Sequence, residues 1–153
     1  MTKTKQPKDA LSDFLKVARD RYETDVSLEN EKGVDIKVEG VGTFTALRAH
    51  TRNPKFIKGY REQVMPYADS AEAKAVKKGD ADPKLEQLSR DLFADVIIVG
   101  LKDAKGNKIP YDDKAREAVK ALLSDTPDLY LLLQSEAMNA ENFRKHYKAE
   151  EKN

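Results

Sequence analysis

The chain has no cysteine and no tryptophan, and only 7 glycines and 6 prolines in 153 residues. Without cysteine there is no disulfide framework, no thiol nucleophile and no thiolate metal site, so redox and zinc-ribbon chemistry drop out. Charge of one sign is missing as well. Twenty-eight Lys and Arg against 27 Asp and Glu give a net charge of +1, which removes the broad attraction that drives non-specific binding to nucleic acid or anionic membranes. Long apolar runs are absent too: Val96 to Val99 and Leu129 to Leu133 fall far short of the roughly 20 residues that span a bilayer. The polar start, Met1 to Asp9, has basic residues but no apolar stretch after them, unlike a secretory signal.

What is present is 39% hydrophobic and 36% charged residues, the composition of one heavily solvated domain with a modest core. Residues 1–8 read as a flexible arm and residues 9–153 as a single domain. Within it, 9–68 form a helix, hairpin and helix, 69–81 a linker and 82–148 a helical module. Leu11, Phe14, Leu15 and Ala18 recur at helical spacing, which predicts an amphipathic helix from Asp9 to Tyr22. From Val34 the period becomes two, and Gly40-Val41-Gly42 separates two β-rich segments ending near Ala49. That is a hairpin, which must pack on helices or recruit Val26-Ser27-Leu28 as a third strand. The expected class is therefore α+β, mostly helical, with a small N-terminal antiparallel hairpin or three-stranded sheet.

Start signals then follow one another. Asn53-Pro54, Asp82-Pro83, Asp112-Asp113, Thr126-Pro127 and Asn139 each place a potential capping side chain before a helical pattern. The helix from Pro54 is expected to break or kink at Pro66, and residues 70–80 to be partly helical, ending near Gly79. The helix from Pro83 carries Leu85, Leu88, Leu92, Val96 and Val99 at steps of three and four, with a strand as the competing reading for Val96 to Val99. Asp103 to Pro110 reads as a turn. A short helix from Asp113 to Leu123, an all-round apolar segment at Leu129 to Leu133 and a final helix with Phe143 and Tyr147 complete the pattern.

Chemical signatures are sparse. His50 and His146 have no ligand partner at i+4 and read as surface histidines. Gly40-Val41-Gly42 has Thr45 where a dinucleotide fingerprint needs Gly or Ala, Gly106-Asn107-Lys108 lacks the upstream Gly of a P-loop, and the aspartates from Asp103 to Asp113 miss the spacing of a calcium loop. No catalytic residue, metal ligand or cofactor site is assigned, and the chain reads as non-enzymatic. One local asymmetry stands out: Arg48, Arg52, Lys55, Lys58 and Arg61 form a basic patch with no acid between them, whereas Asp9 to Glu39 carries nine acids against five bases. A small nucleic-acid-binding regulator would need such a patch. A solvated helix face explains it more simply, because five cations on a near-neutral chain give weak phosphate affinity.

The order of segments in the second half resembles the tail assembly chaperones of long-tailed bacteriophages. The resemblance runs over residues 34–145. It lies in Ala94-Asp95-Val96-Ile97-Ile98-Val99-Gly100-Leu101, the turn Lys105-Gly106-Asn107-Lys108-Ile109-Pro110-Tyr111, the helix with Ala115, Val119, Leu122 and Leu123, then Pro127-Asp128-Leu129 and Asn139-Ala140-Glu141-Asn142-Phe143. Leu101 stands where such sequences carry an aromatic residue. The resemblance implies a protein of the bacterial host cytoplasm that binds and solubilises the phage tape measure protein during tail assembly, with the tail tube protein as a further partner and a homo-oligomer compatible with the role. A structural virion protein of the tail or head-tail junction is the alternative. Apolar residues in excess of a small core's needs are the candidate partner contacts: Leu129, Tyr130, Leu132, Leu133, Phe143 and Tyr147.

Overall fold

Alternation in the hairpin segment settles into strand β1, Val34–Val38, and strand β2, Gly42–Ala46, antiparallel with Ile36 opposite Phe44. Ile36, Phe44 and Ala46 point into the core. On the other face Asp35 accepts from Thr45 Oγ1 at 2.8 Å and from Lys102 Nζ at 3.1 Å. The connection needs Gly42: its φ is 147°, and a Cβ there would sit 2.3 Å from the carbonyl oxygen of Lys102. The computed structural model describes residues 7–145, with side chains from Asp9 onward.

The hairpin does not recruit Val26-Ser27-Leu28. The Asp25 carboxylate accepts from the N–H groups of Ser27 and Leu28 and starts a helical turn, which continues as a short π-helix over Leu28–Lys32 and ends at Gly33 with φ 76°. Strand β3, Ile98–Asp103, pairs with β2 instead, and the two-residue strand β4, Lys108–Ile109, completes the order β1-β2-β3-β4. The helix expected to run from Pro83 to Val99 therefore stops early. Its regular part covers Pro83–Leu92, widens into a π-helix over Phe93–Ile97 and turns directly into β3. Two effects favour this ending. The β-branched run pairs well in a sheet, and the Ile97 carbonyl released at the helix end accepts from Leu47 N–H at 2.8 Å.

The caps mostly act as anticipated. Helix α1 spans Pro7–Tyr22 and α2 spans Pro54–Gln63, the latter capped by Asn53, whose side chain accepts from Lys55 N–H. The chain breaks at Val64 before α3, Met65–Ala68, and Ser70 caps α4, Ala71–Lys74. With α5 as Pro83–Leu92, capped by Asp82, the last helices are α6, Asp113–Asp125, capped by Asp112, and α7, Pro127–Met138. Thr126 does not cap α7: its hydroxyl donates back to the Leu122 carbonyl at 2.6 Å and closes α6. Asn139 opens a 3-10 turn over Ala140–Phe143, and the rest of the expected final helix, with Tyr147, lies outside the described residues. In the turn before β4, the Asp103 carboxylate accepts from Asn107 N–H, Asn107 Nδ2 and Lys105 N–H. The Asn107 bonds hold its pKa below the usual value.

The main core joins the inner face of the sheet to Phe93, Ala94, Ile97, Val119, Leu123, Leu133 and Ala137. Leu28, Val34 and Phe143 form a smaller cluster. Tyr111, packed beside the main core, donates its hydroxyl to the Ala94 carbonyl. Helix α1 is different. Its stripe of Leu11, Phe14 and Leu15 is exposed, Phe14 at 69%, and the connection below α1 is pinned by the Arg144 guanidinium over the Tyr22 ring, the bridge between Thr24 and Arg144, and Asp25 N–H donating to Phe143 O. Residues 1–6 of the expected arm lie outside the described residues, whereas Pro7 and Lys8 are already helical.

Candidate partner-binding cleft

Helix α2 packs on α5 at Gly59, where a Cβ would come 2.5 Å from Leu92 Cδ1. This close approach aims the next aromatic residues of α2 sideways, toward α7. Phe56 and Tyr60, their ring centres 6.4 Å apart, form one wall of an open cleft of about 350 Å³. Leu92 and Phe93 form its floor, and Tyr130 and Met138 of α7 face them. The Phe93 and Tyr130 rings meet edge to face at 5.5 Å, a favoured arrangement that fixes the floor against the far wall. Burial raises the pKa of Tyr130, while the charge of Arg90 pulls the other way.

Much of the cleft's polar capacity is already engaged. Ser89 Oγ donates to the Leu85 carbonyl at 2.9 Å, and His50 Nδ1 accepts from Arg52 N–H at 3.0 Å. No group of His, Cys, Asp and Glu suited to a metal ion occurs among the described residues. The arrangement offers apolar contact to a side chain entering from outside. The volume lies at the low end for ligand sites, with room for one or two large side chains rather than a cofactor.

The six apolar candidates separate in the fold. Leu133 and Phe143 are wholly buried and are core residues, so they are corrected from contact candidates to packing. Leu129 and Tyr130 pack partly on the core, and Tyr130 also lines the cleft. Leu132 is exposed, and Tyr147 lies outside the described residues, as does His146. Leu131 and Met138 were missed by sequence reasoning. They are 57% and 54% exposed, and their spacing of seven places them on one face of α7 with Gln134 of the cleft lining. In a segment apolar on every side, no sequence signal marks which leucines point outward.

The basic patch also divides. Glu29 is completely buried, accepts from Thr24 Oγ1 at 2.9 Å, pairs with Arg48 and lies 3.4 Å from Arg52 Nε. Arg48 thus serves an internal ion pair, reinforced by its N–H donating to Glu29 O and by Asn53 Nδ2 donating to the Arg48 carbonyl. Arg52 keeps half its side chain in solvent. Lys55, Lys58 and Arg61 are exposed on α2, and none of them makes an ion pair with another described residue.

The segment that builds most of the cleft, residues 51–153, matches the family model of the YdaY prophage protein. The chain belongs to the YdaY prophage protein family. It is a phage-derived protein, and the match takes in α2, α5, the π-helix and α7 but leaves out α1 and the hairpin. No curated protein and no solved structure matches it. Among the described residues no helix is long and apolar enough to cross a membrane.

Proposed function

We propose that this YdaY-family protein is a non-enzymatic tail assembly chaperone that holds apolar helical segments of a phage tape measure protein. The open apolar cleft between α2 and α7, continued outward by Leu131 and Met138, is the observation that supports this reading. An amphipathic helix presents side chains at i, i+3, i+4 and i+7, and a groove of this kind accepts one or two of them while neighbouring turns lie on the exposed strip. The client's apolar face would be shielded from its own kind during assembly, and the charged exterior of the chaperone would keep the complex dispersed.

Co-expression of tape measure segments with the wild-type chain and with Met138→Asp tests the proposal. Soluble complex with the wild type and its loss with the exposed-site variant are expected. No complex, and no gain in client solubility, would count against the role. Stoichiometric presence of the chain in purified particles would favour a structural virion protein, since a chaperone leaves before maturation.

A further inference from the structure

The exposed stripe of α1 and the outer face of α7 complement each other. Helical spacing sets Leu11, Phe14, Leu15 and Tyr22 on one side of α1, and all four are exposed. Arg19 and Arg21 stand at the two edges of that stripe, whereas Asp9, Asp13 and Asp20 fall on the far side of the helix. The stripe is therefore apolar with cationic borders.

Helix α7 turns Leu133 and Ala137 inward, which leaves Leu131, Leu132, Ser135 and Met138 along its outer face. Every charge on this stretch is acidic. Residues 125–138 contain no Lys or Arg; Asp125 and Asp128 are exposed at the start of the face, and Glu136, bonded to the uncharged Asn142 amide, borders it near the end. Arg90 belongs to α5 and acts on Tyr130, which α7 turns away from this face. From Leu11 to Tyr22 and from Asp128 to Met138 the two faces run about 16 and 15 Å, so one can cover the other from end to end.

In one chain the base of α1 adjoins the end of α7, because Arg144 stacks on Tyr22 and Asn142 bonds Glu136. A twofold axis beside that junction sets each α1 on the α7 of the other copy and uses the same patch on both. A single pair of helix faces is small against the roughly 1,200 Å² of a specific interface, and the reciprocal arrangement supplies that pair twice. We infer that two copies of this chain associate through reciprocal antiparallel contacts, the α1 stripe of each lying on the outer face of the other's α7 with Arg19 and Arg21 against Asp125 and Asp128. The inference stands apart from the client-holding role. Both uses share Leu131 and Met138, so a client helix and α1 compete for them. An interface of this modest size gives a dissociation constant on the order of 10–100 μM, and dilute chains leave the stripe in solvent.

Sedimentation velocity of the full chain from about 2 to 300 μM, a range that brackets such a constant, tests this. The mass should rise toward twice the 17.2 kDa of one chain. Phe14→Asp and Leu132→Asp, both at exposed positions, should each weaken the dimer at least about thirtyfold, the loss expected at a central contact. Arg19→Glu/Arg21→Glu should weaken it about tenfold at low salt, and adding Asp125→Arg/Asp128→Arg to the same chain should recover most of that loss. Circular dichroism and the urea midpoint of dilute samples separate loss of fold from loss of contact. A chain that stays monomeric at every concentration overturns the inference. So does a dimer that Phe14→Asp dissolves and Leu132→Asp leaves intact, which would pair α1 with α1. Charge reversal on α1 that the second reversal fails to rescue overturns it as well. Client binding is read separately, with tape measure segments, and survives any of these results.

Discussion

Helices α1 and α7 reverse the usual relation between pattern and burial. In α1, Leu11, Phe14, Leu15 and Ala18 make a clean stripe, yet its large members remain in solvent. In α7, Leu129 to Leu133 has no polar side, yet this helix supplies Leu133 and Ala137 to the centre of the core. Periodicity reports that a helix can form with one apolar side. Whether that side is covered depends on where neighbouring elements end. The fold brings α6, β1 and the 3-10 turn to α7, while among the described residues the large members of the α1 stripe stay exposed.

The contrast can be broken most strongly at Leu133. Leu133→Ala should cost about 2–5 kcal/mol by urea denaturation, the range for a fully buried leucine. Glu29→Ala should follow at about 3 kcal/mol, because it leaves the nearly buried Arg48 without its carboxylate; the loss should be visible as a lower midpoint in the same titration.

Tyr111 offers a smaller effect that is sharp in pH. Burial raises the phenol's pKa well above its ordinary value, only partly countered by Arg116, and the hydroxyl donates to the Ala94 carbonyl. The unfolded chain releases this proton near pH 10 while the folded chain holds it, so the contribution is complete below about pH 10 and declines above it. Thermal melts from pH 8 to 11.5 should show a steeper alkaline fall for the wild type than for Tyr111→Phe, which starts lower by about 1 kcal/mol. Equal slopes would remove Tyr111 as the titrating group. The smallest effects belong to the exposed stripe: Phe14→Ala and Leu11→Ala should each shift stability by at most about 0.5 kcal/mol. A loss of 2 kcal/mol at Phe14 would mean that α1 is covered in solution, and the contrast with α7 would disappear.

Local chemistry was legible from the residues. The pairing of Asn53 with Pro54, Asp82 with Pro83 and Asp112 with Asp113 announced helix starts, because a cap needs only a side chain and the next turn of backbone. The hairpin was legible from alternation, and Gly40 and Gly42 from the turn between its strands. The third strand was not: Val96 to Val99 suits a helix or a strand equally, and only the free edge of β2 and the N–H of Leu47 decide between them. The cleft was half legible. Tyr130 was singled out with the apolar run, but nothing in the helix pattern from Pro54 marked Phe56 and Tyr60 as facing α7, and Leu131 and Met138 were indistinguishable from core.

The sequence by itself determined the α+β class, the caps at Asn53, Asp82, Asp112 and Asn139, the hairpin and the absence of thiol chemistry, since each follows from residue types or from neighbours a few positions apart. Tertiary structure alone decided that Glu29 takes Arg48 out of the basic patch, that Leu133 is inside and Leu131 outside, and that α2 and α7 leave an apolar cleft between them. These depend on contacts between residues far apart in the chain, and a side chain's environment is set by what the fold brings to it.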